Sequence, residues 1–233
     1  MPFSIPSFLL NLVKQNQNCE MTVPLVMKME NLSQIPKPTI PPGYTSRNFQ
    51  PGDEQAWDHI IAKSFKHSPS ERFNDLLRSD QSFHPQRIWF ICNNQIPVAT
   101  ASAWHFPEYG FNTGYLHMVG VLPEEMSKGL GTQISLIALQ QMKREGKSQA
   151  ILKTDPFRIP AINLYLKIGF SPLLVHESQR KIWQEILTQL NREDLKEKFK
   201  PILQGPITNP ESPPTQTRLF SLLKPWKKRP KFS

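Results

Sequence analysis

The stretch VLPEEMSKGLGTQI, residues 121–134, carries Gly129 and Gly131 at the seam between an apolar strand-like run and a helix-like one. Such a loop has the makings of an anion cradle. Small residues entering a helix leave main-chain N–H groups free, and the helix dipole adds about half a positive charge there. The same glycines can do no more than permit a tight turn. A nucleotide P-loop is excluded, because Lys128 precedes its glycine and no Lys-Ser/Thr pair follows. A dinucleotide fingerprint is excluded as well: Ile134 stands where a third glycine belongs, and LPEEMSK separates the strand from the first one.

The elements that must position this loop follow from hydrophobic period. Tyr44 to Phe49 predicts a strand, and after Gly52 and Asp53 the residues Trp57, Ile60, Ile61 and Phe65 fall at helical spacing. SPSERFNDLLRS predicts a second helix, capped at Ser68 or Ser70, with Phe73, Leu76 and Leu77 on one face. RIWFICNNQIPVATASAWHF reads as a hairpin around Asn93-Asn94, and YLHMVGV as a third strand beside it. A helix follows from Gly129 to Gly146, with Ile134, Ile137, Ala138 and Gln141 on one face and Lys143 and Arg144 in its last turn. Then come the strand QAILKTD, the helix of RIPAINLYLKIGF closed by Gly169, the strand SPLLVHE, and a helix with Ile182, Ile186 and Leu190. Strands arriving singly between helices in the second half imply an α/β (α+β) fold with a mixed sheet covered on both faces.

Composition divides the chain. Of the net +9 charge, +6 lies in residues 191–233, which hold ten Lys/Arg and four Asp/Glu. The 23 prolines and a hydrophobic fraction of 38% fit a chain that is packed only in part. We expect an unpacked leader or linker over 1–42, one domain over 43–190, and a basic, Pro-rich, disordered tail over 191–233. Trp226 among Lys224, Lys227, Lys228 and Arg229 is the one hint of nucleic acid, against the plainer use of a solvated tail. Cys19 and Cys92 make neither a disulfide framework nor a metal site, which fits a reducing, cytoplasmic setting. No signal peptide or membrane span is evident, and no metal is expected.

Val121, Pro123, Lys128, Gly129, Leu130 and Gly131, with Tyr165, Lys167, Gly169 and Phe170 of LYLKIGF some thirty residues later, resemble the acyl-CoA-binding signature of the GCN5-related N-acetyltransferase (GNAT) superfamily. The resemblance covers about residues 43–190. LHMVGVLPE and TDPFRIPAINLYLKIGF look most like its bacterial mycothiol-synthase-like branch. Met126 departs from the pattern, standing where Arg or Gln is usual, and Ser127 stands where a small residue, often Gly, is usual. The family fold implies a mostly antiparallel sheet of six or seven strands with helices on both faces. The family loop binds the CoA pyrophosphate through main-chain N–H groups, which carries over to Met126, Ser127, Lys128, Gly129, Leu130, Gly131 and Thr132. Pantetheine amides pair with main-chain groups of the strand at Val119 and Val121, and Gly120 leaves room between them. Arg158 stands where the family often has a CoA-contacting Asn.

Transfer of an acetyl group from a thioester to a primary amine needs a base, a polarised carbonyl and a proton donor for the leaving thiolate. His117 stands where many family members place a catalytic Glu, and its ordinary pKa of about 6.5 suits a base; a hydrogen-bonded structural histidine is the alternative. His105 is a second candidate. Tyr165 matches the family tyrosine that faces the CoA sulfur, and with a pKa near ~10 it is a protonated donor at neutral pH. Phe106, Glu108 and Tyr109, in the loop before the strand, are placed to touch the acceptor. The resemblance thus implies an acetyl-CoA-dependent N-acetyltransferase acting on a small-molecule amine or a protein amino group, as a monomer or homodimer. The alternative is a catalytically silent acyl-CoA-binding module.

Overall fold

Leu25–Met29, at the edge of the polar and proline-rich N-terminal stretch, forms a strand on which the far half of the sheet is built. In the computed structural model, which describes residues 23–65 and 72–208, this strand (β1) lies antiparallel to β6 (Gln149–Thr154) on one side and to β7 (Ser171–Leu173) on the other. The expectation of an unpacked leader over 1–42 is corrected here: Leu25 and Met27 are fully buried. Both faces of β1 are covered, so Leu25, Val26, Met27 and Met29 all point into apolar surroundings and no alternation marks the strand. The proline-rich continuation is tied down too. Leu32 N–H donates to the Ser148 carbonyl at 2.8 Å, and Thr39 N–H to the Gln133 side chain at 2.6 Å.

The seven strands run β2-β3-β4-β5-β6-β1-β7, where β2 is Tyr44–Asn48, β3 Ile88–Asn93, β4 Ile96–Trp104 and β5 Thr113–Val121. Only β5 and β6 pair in parallel; the other neighbours are antiparallel. The mixed, mostly antiparallel sheet is therefore as expected. The β3–β4 turn falls one residue later than expected: Asn94 (φ 46°) and Gln95 (φ 69°) take the left-handed positions.

Five helices are present among the described residues: α1 (Glu54–Ser64), α2 (Leu130–Arg144), α3 (Ile159–Lys167), α4 (Gln179–Gln189) and α5 (Glu193–Gln204). α1 and α2 cover opposite faces. A methyl group at Gly120 of β5 would press on Ile60, Ile61 and Ser64 of α1, whereas one at Gly114 would press on Met142 of α2. Asp53 does not cap α1; its carboxylate takes Arg47 at 2.6 and 2.9 Å and the Gln50 N–H at 2.7 Å, which fixes the start of α1 against β2. The second helix expected near residue 70 is corrected to a single π-type turn, Asn74–Arg78, with Phe73 and Leu77 fully buried. Its proposed caps, Ser68 and Ser70, lie outside the described residues.

The disordered tail is corrected in its first part. α5 packs on α4 and buries Leu195, Phe199 and Leu203, and Thr208 N–H donates to the Leu174 carbonyl at 2.7 Å. The spacing of four from 195 to 199 to 203 is a helical stripe, obscured by the charged residues between. The basic end with Trp226 lies outside the described residues. No helix among those described is long and apolar enough to cross a membrane.

Candidate active site

β5 and β6 are hydrogen-bonded over three register positions only, Thr113↔Gln149, Gly114↔Ala150 and Tyr115↔Ile151. Beyond Tyr115 the two strands part, and the main chain of β5 from Leu116 onward is not paired to β6. The other edge of β5 explains the divergence. Thr100 pairs with Gly120 but Ser102 with His117, so one β4 residue, Ala101, opposes Met118 and Val119. Met118 takes φ 49°, completing a bulge that bends β5. A cleft thus opens between β5 and β6 beyond Tyr115, with the β5 main chain around Val119 along one side.

One expectation about this strand changes. Gly120 does not make room in the cleft: its missing side chain admits α1, since a Cβ there would lie 2.9 Å from Ser64 Oγ and 3.1 Å from Ile60. The Val121 carbonyl is also engaged from α1, with Ser64 Oγ 3.0 Å away and 2.7 Å from the Ile60 carbonyl.

At the open end of the cleft, Leu122 N–H donates to the Val98 carbonyl at 2.9 Å, and a 3-10 turn, Pro123–Glu125, leads into the glycine loop. Ser127 (φ 64°) and Gly129 (φ 77°) are both left-handed. Thr132 and Gln133 N–H groups donate to the Gly129 carbonyl at 3.1 and 3.2 Å, so the amides just before them belong to the helix start, where N–H groups lack an intrahelical acceptor and suit an anion. Gly131 is small for packing: a Cβ would lie 3.0 Å from Leu164 of α3. Met126 is half exposed. Glu125, by contrast, is buried, and accepts Tyr44 Oη at 2.5 Å, Lys128 Nζ at 2.7 Å and Asn93 Nδ2 at 3.3 Å. The Lys128 and Tyr44 bonds pull its carboxyl down to about 2.

His117 lies on the α1 face of β5, its ring 5.5 Å from Tyr115, 5.9 Å from Phe106 and 6.0 Å from Trp104. Burial lowers its pKa to about 4, and the Asp80 carboxylate pulls weakly the other way. Its cross-strand partner Ser102 is fully buried with a hydroxyl that has no partner among the described residues. His105 is turned aside, with Nδ1 3.2 Å from the Thr113 carbonyl.

Tyr165 comes from α3, with its ring 6.0 Å from that of Phe170. It is buried, and burial pushes its phenol up to about 12 against the opposing field of Arg158. Arg158 lies at the start of α3 with its guanidinium 3.9 Å from the ring centre of Phe65, at the end of α1, so it spans the two sides.

Phe106 and Tyr109 reach the histidine side, Phe106 4.8 Å from Tyr115 and Tyr109 stacked on Tyr115 at 5.7 Å, while Glu108 is exposed at the rim. Tyr115 joins this set, although no motif in the sequence singles it out. Its phenol is raised by burial, opposed by a hydrogen bond from the Lys153 main chain beyond the last β5–β6 pair, and it also feels Tyr165. It therefore stands at the base of the cleft. The signal was present, an aromatic two residues before His117, but its value depends on where the strands part. No cluster of three or more His, Cys, Asp or Glu suited to a metal occurs among the described residues.

A family model described as "Acetyltransferase (GNAT) family" matches residues 54–170. Among similar proteins, a mycothiol acetyltransferase of Thermobispora bispora is 30% identical over 156 residues, covering 63% of this chain and 53% of that protein. One of Pseudarthrobacter chlorophenolicus is 29% identical over 148 residues, covering 59% and 45%. The chain spans about half the length of the curated relatives it matches. Among solved structures, a GCN5-related N-acetyltransferase of Sphaerobacter thermophilus has the same fold, with a TM-score of 0.53, 23% identity, and 72% of this chain and 53% of that one covered.

Proposed function

The chain belongs to the acetyltransferase (GNAT) family, and on that premise we propose that it is an acetyl-CoA-dependent N-acetyltransferase that acylates a primary amine by direct attack. The observation that supports the reading is the parting of β5 from β6 beyond Tyr115, with the glycine loop following β5 and leading into α2. The cleft fits an extended pantetheine chain: unpaired main-chain groups near Val119 would take its amides. The amides of Ser127 to Gly131 would take the pyrophosphate, and Arg158 is a further contact for an oxygen of the ligand. Bound there, acetyl-CoA supplies an acyl group activated as a thioester.

The residues divide the proton chemistry. A free amine attacks, so the acceptor must lose its ammonium proton first; its pKa near ~10 makes that a minor species at neutral pH. Once the nitrogen bonds to the carbonyl carbon it is cationic and carries two protons; one becomes acidic, and a neutral imidazole can take it and pass it on to solvent, while the other stays on the amide. His117, with a pKa near 4, is neutral throughout the physiological range. Tyr165 donates a hydrogen bond to the sulfur as the C–S bond breaks; at about 12 its phenol steadies the thiolate, which takes a proton from solvent as it leaves and departs as free thiol. Main-chain N–H groups of β5 polarise the carbonyl. Phe106 and Tyr109 form the acceptor wall, with Glu108 at the rim. The name shared by the curated relatives favours a small-molecule acceptor over a protein.

Incubating the full chain with acetyl-CoA and an amine library, read by mass spectrometry and thiol release, tests this. We expect an acetylated amine and free thiol in equal amounts, with His117→Ala and Tyr165→Phe each lowering kcat by roughly 10- to 1,000-fold. Unchanged turnover in both variants would remove these roles. A second reading, a silent acyl-CoA-binding module, draws on the weak basicity of His117. It predicts tight CoA binding with no product from any amine.

A further inference from the structure

Ser127 is a non-glycine residue at φ 64°, one position from Met126 and two from left-handed Gly129. L-residues hold such a conformation only where the surroundings enforce it. The enforcing contacts converge on Glu125. Its carboxylate is bound by Tyr44 on β2 at 2.5 Å and by Asn93 at the end of β3 at 3.3 Å, which bolts the loop to the far strands of the sheet. Lys128 closes back on the same oxygen as Tyr44, at 2.7 Å, and clasps the intervening Met126 and Ser127; its ammonium also lies 6.0 Å from the Tyr44 ring centre.

Lys128 is therefore committed. It is the one basic side chain between Val121 and Gln141, and its charge is matched by a buried carboxylate. Nothing cationic then stands free within the loop itself, where Met126 replaces the usual basic or amide side chain. We propose that Glu125 is a positioning residue for the anion-binding loop. It fixes the left-handed turns and holds the Lys128 ammonium away from the ligand, so that main-chain N–H groups alone bind the CoA pyrophosphate at this loop. The proposal rests on the acyl-CoA reading of the cleft.

Calorimetry of acetyl-CoA binding to the full chain, with steady-state kinetics alongside, tests it in the wild type, Glu125→Gln, Lys128→Met and the double variant. Glu125→Gln should weaken acetyl-CoA binding about tenfold or more, the scale of a lost charge-assisted hydrogen bond, while kcat at saturating acetyl-CoA stays within about twofold. Lys128→Met should weaken binding in the wild type but change it less than about twofold in the Glu125→Gln background, since the pair acts as one unit. Equal losses from Lys128→Met in both backgrounds would mean a direct phosphate contact and overturn the proposal, as would unchanged affinity in Glu125→Gln. If Glu125→Gln fails to fold, Tyr44→Phe takes its place: a several-fold loss of affinity at an unchanged melting temperature supports the proposal, and unchanged affinity overturns it. A wild type that binds no acetyl-CoA sinks the acyl-CoA reading itself and is distinct from all of these.

Discussion

At the scale of single residues, the ionisation of His117 decides how turnover depends on pH. A pKa near 4 leaves the imidazole neutral above about pH 5, so it does not gate the rate in the neutral range. The acceptor does, because its free-amine fraction rises tenfold per unit up to a pKa near ~10. Log(kcat/KM) should climb with a slope of about one from pH 6 to 9, with no bend near 6.5; a bend there that vanishes in His117→Ala would show a ring titrating at its ordinary value. Ser102 offers a separate check. Its buried hydroxyl has no partner among the described residues, so Ser102→Ala should leave stability unchanged or raise it by up to about 1 kcal/mol in urea unfolding. His117 and Tyr165 can be proposed from sequence because they stand in a recognisable pattern. Ser102, Tyr115 and Glu125 cannot, because each draws its environment from register or from a strand distant in sequence: Glu125 looks like any acidic loop residue until Tyr44 and Asn93 are brought to it.

At the scale of elements, most helices and strands of the central region follow from period, and the failures have physical causes. β1 is five residues long and buried on both sides, so it lacks alternation. α5 hides a stripe of Leu195, Phe199 and Leu203 among charges. The β5 bulge cannot be read at all, since Met118 tolerates left-handed backbone poorly and is held there only by the pairing on either side. β1 supplies a clean test. Met27 is fully buried between β6 and β7, so Met27→Ala should cost about 2–5 kcal/mol in urea unfolding, whereas an unpacked leader would give no change.

At the scale of the whole molecule, two groups set opposite ends of one acid-sensitive range. His117 has a folded pKa near 4 against about 6.5 unfolded, so below 6.5 the unfolded chain takes up the proton first, and stability drains as pH falls from about 6.5 to 4. Glu125 is held near 2 against about 4.5 unfolded; its contribution is complete above 4.5 and is lost as pH falls from there to 2. Asp53, lowered by Arg47 and the Gln50 N–H, adds to the lower window. The windows adjoin, so stability should decline in two successive stages and not in one step. Urea unfolding at intervals from pH 7 to 3 separates them: His117→Asn should flatten the upper stage and leave the lower, and Glu125→Gln should do the reverse. Equal slopes in both variants and the wild type would mean that neither group carries the perturbation its surroundings imply. The upper stage also ties stability to the site, because it is the burial that makes His117 a weak base which costs the fold its resistance to mild acid.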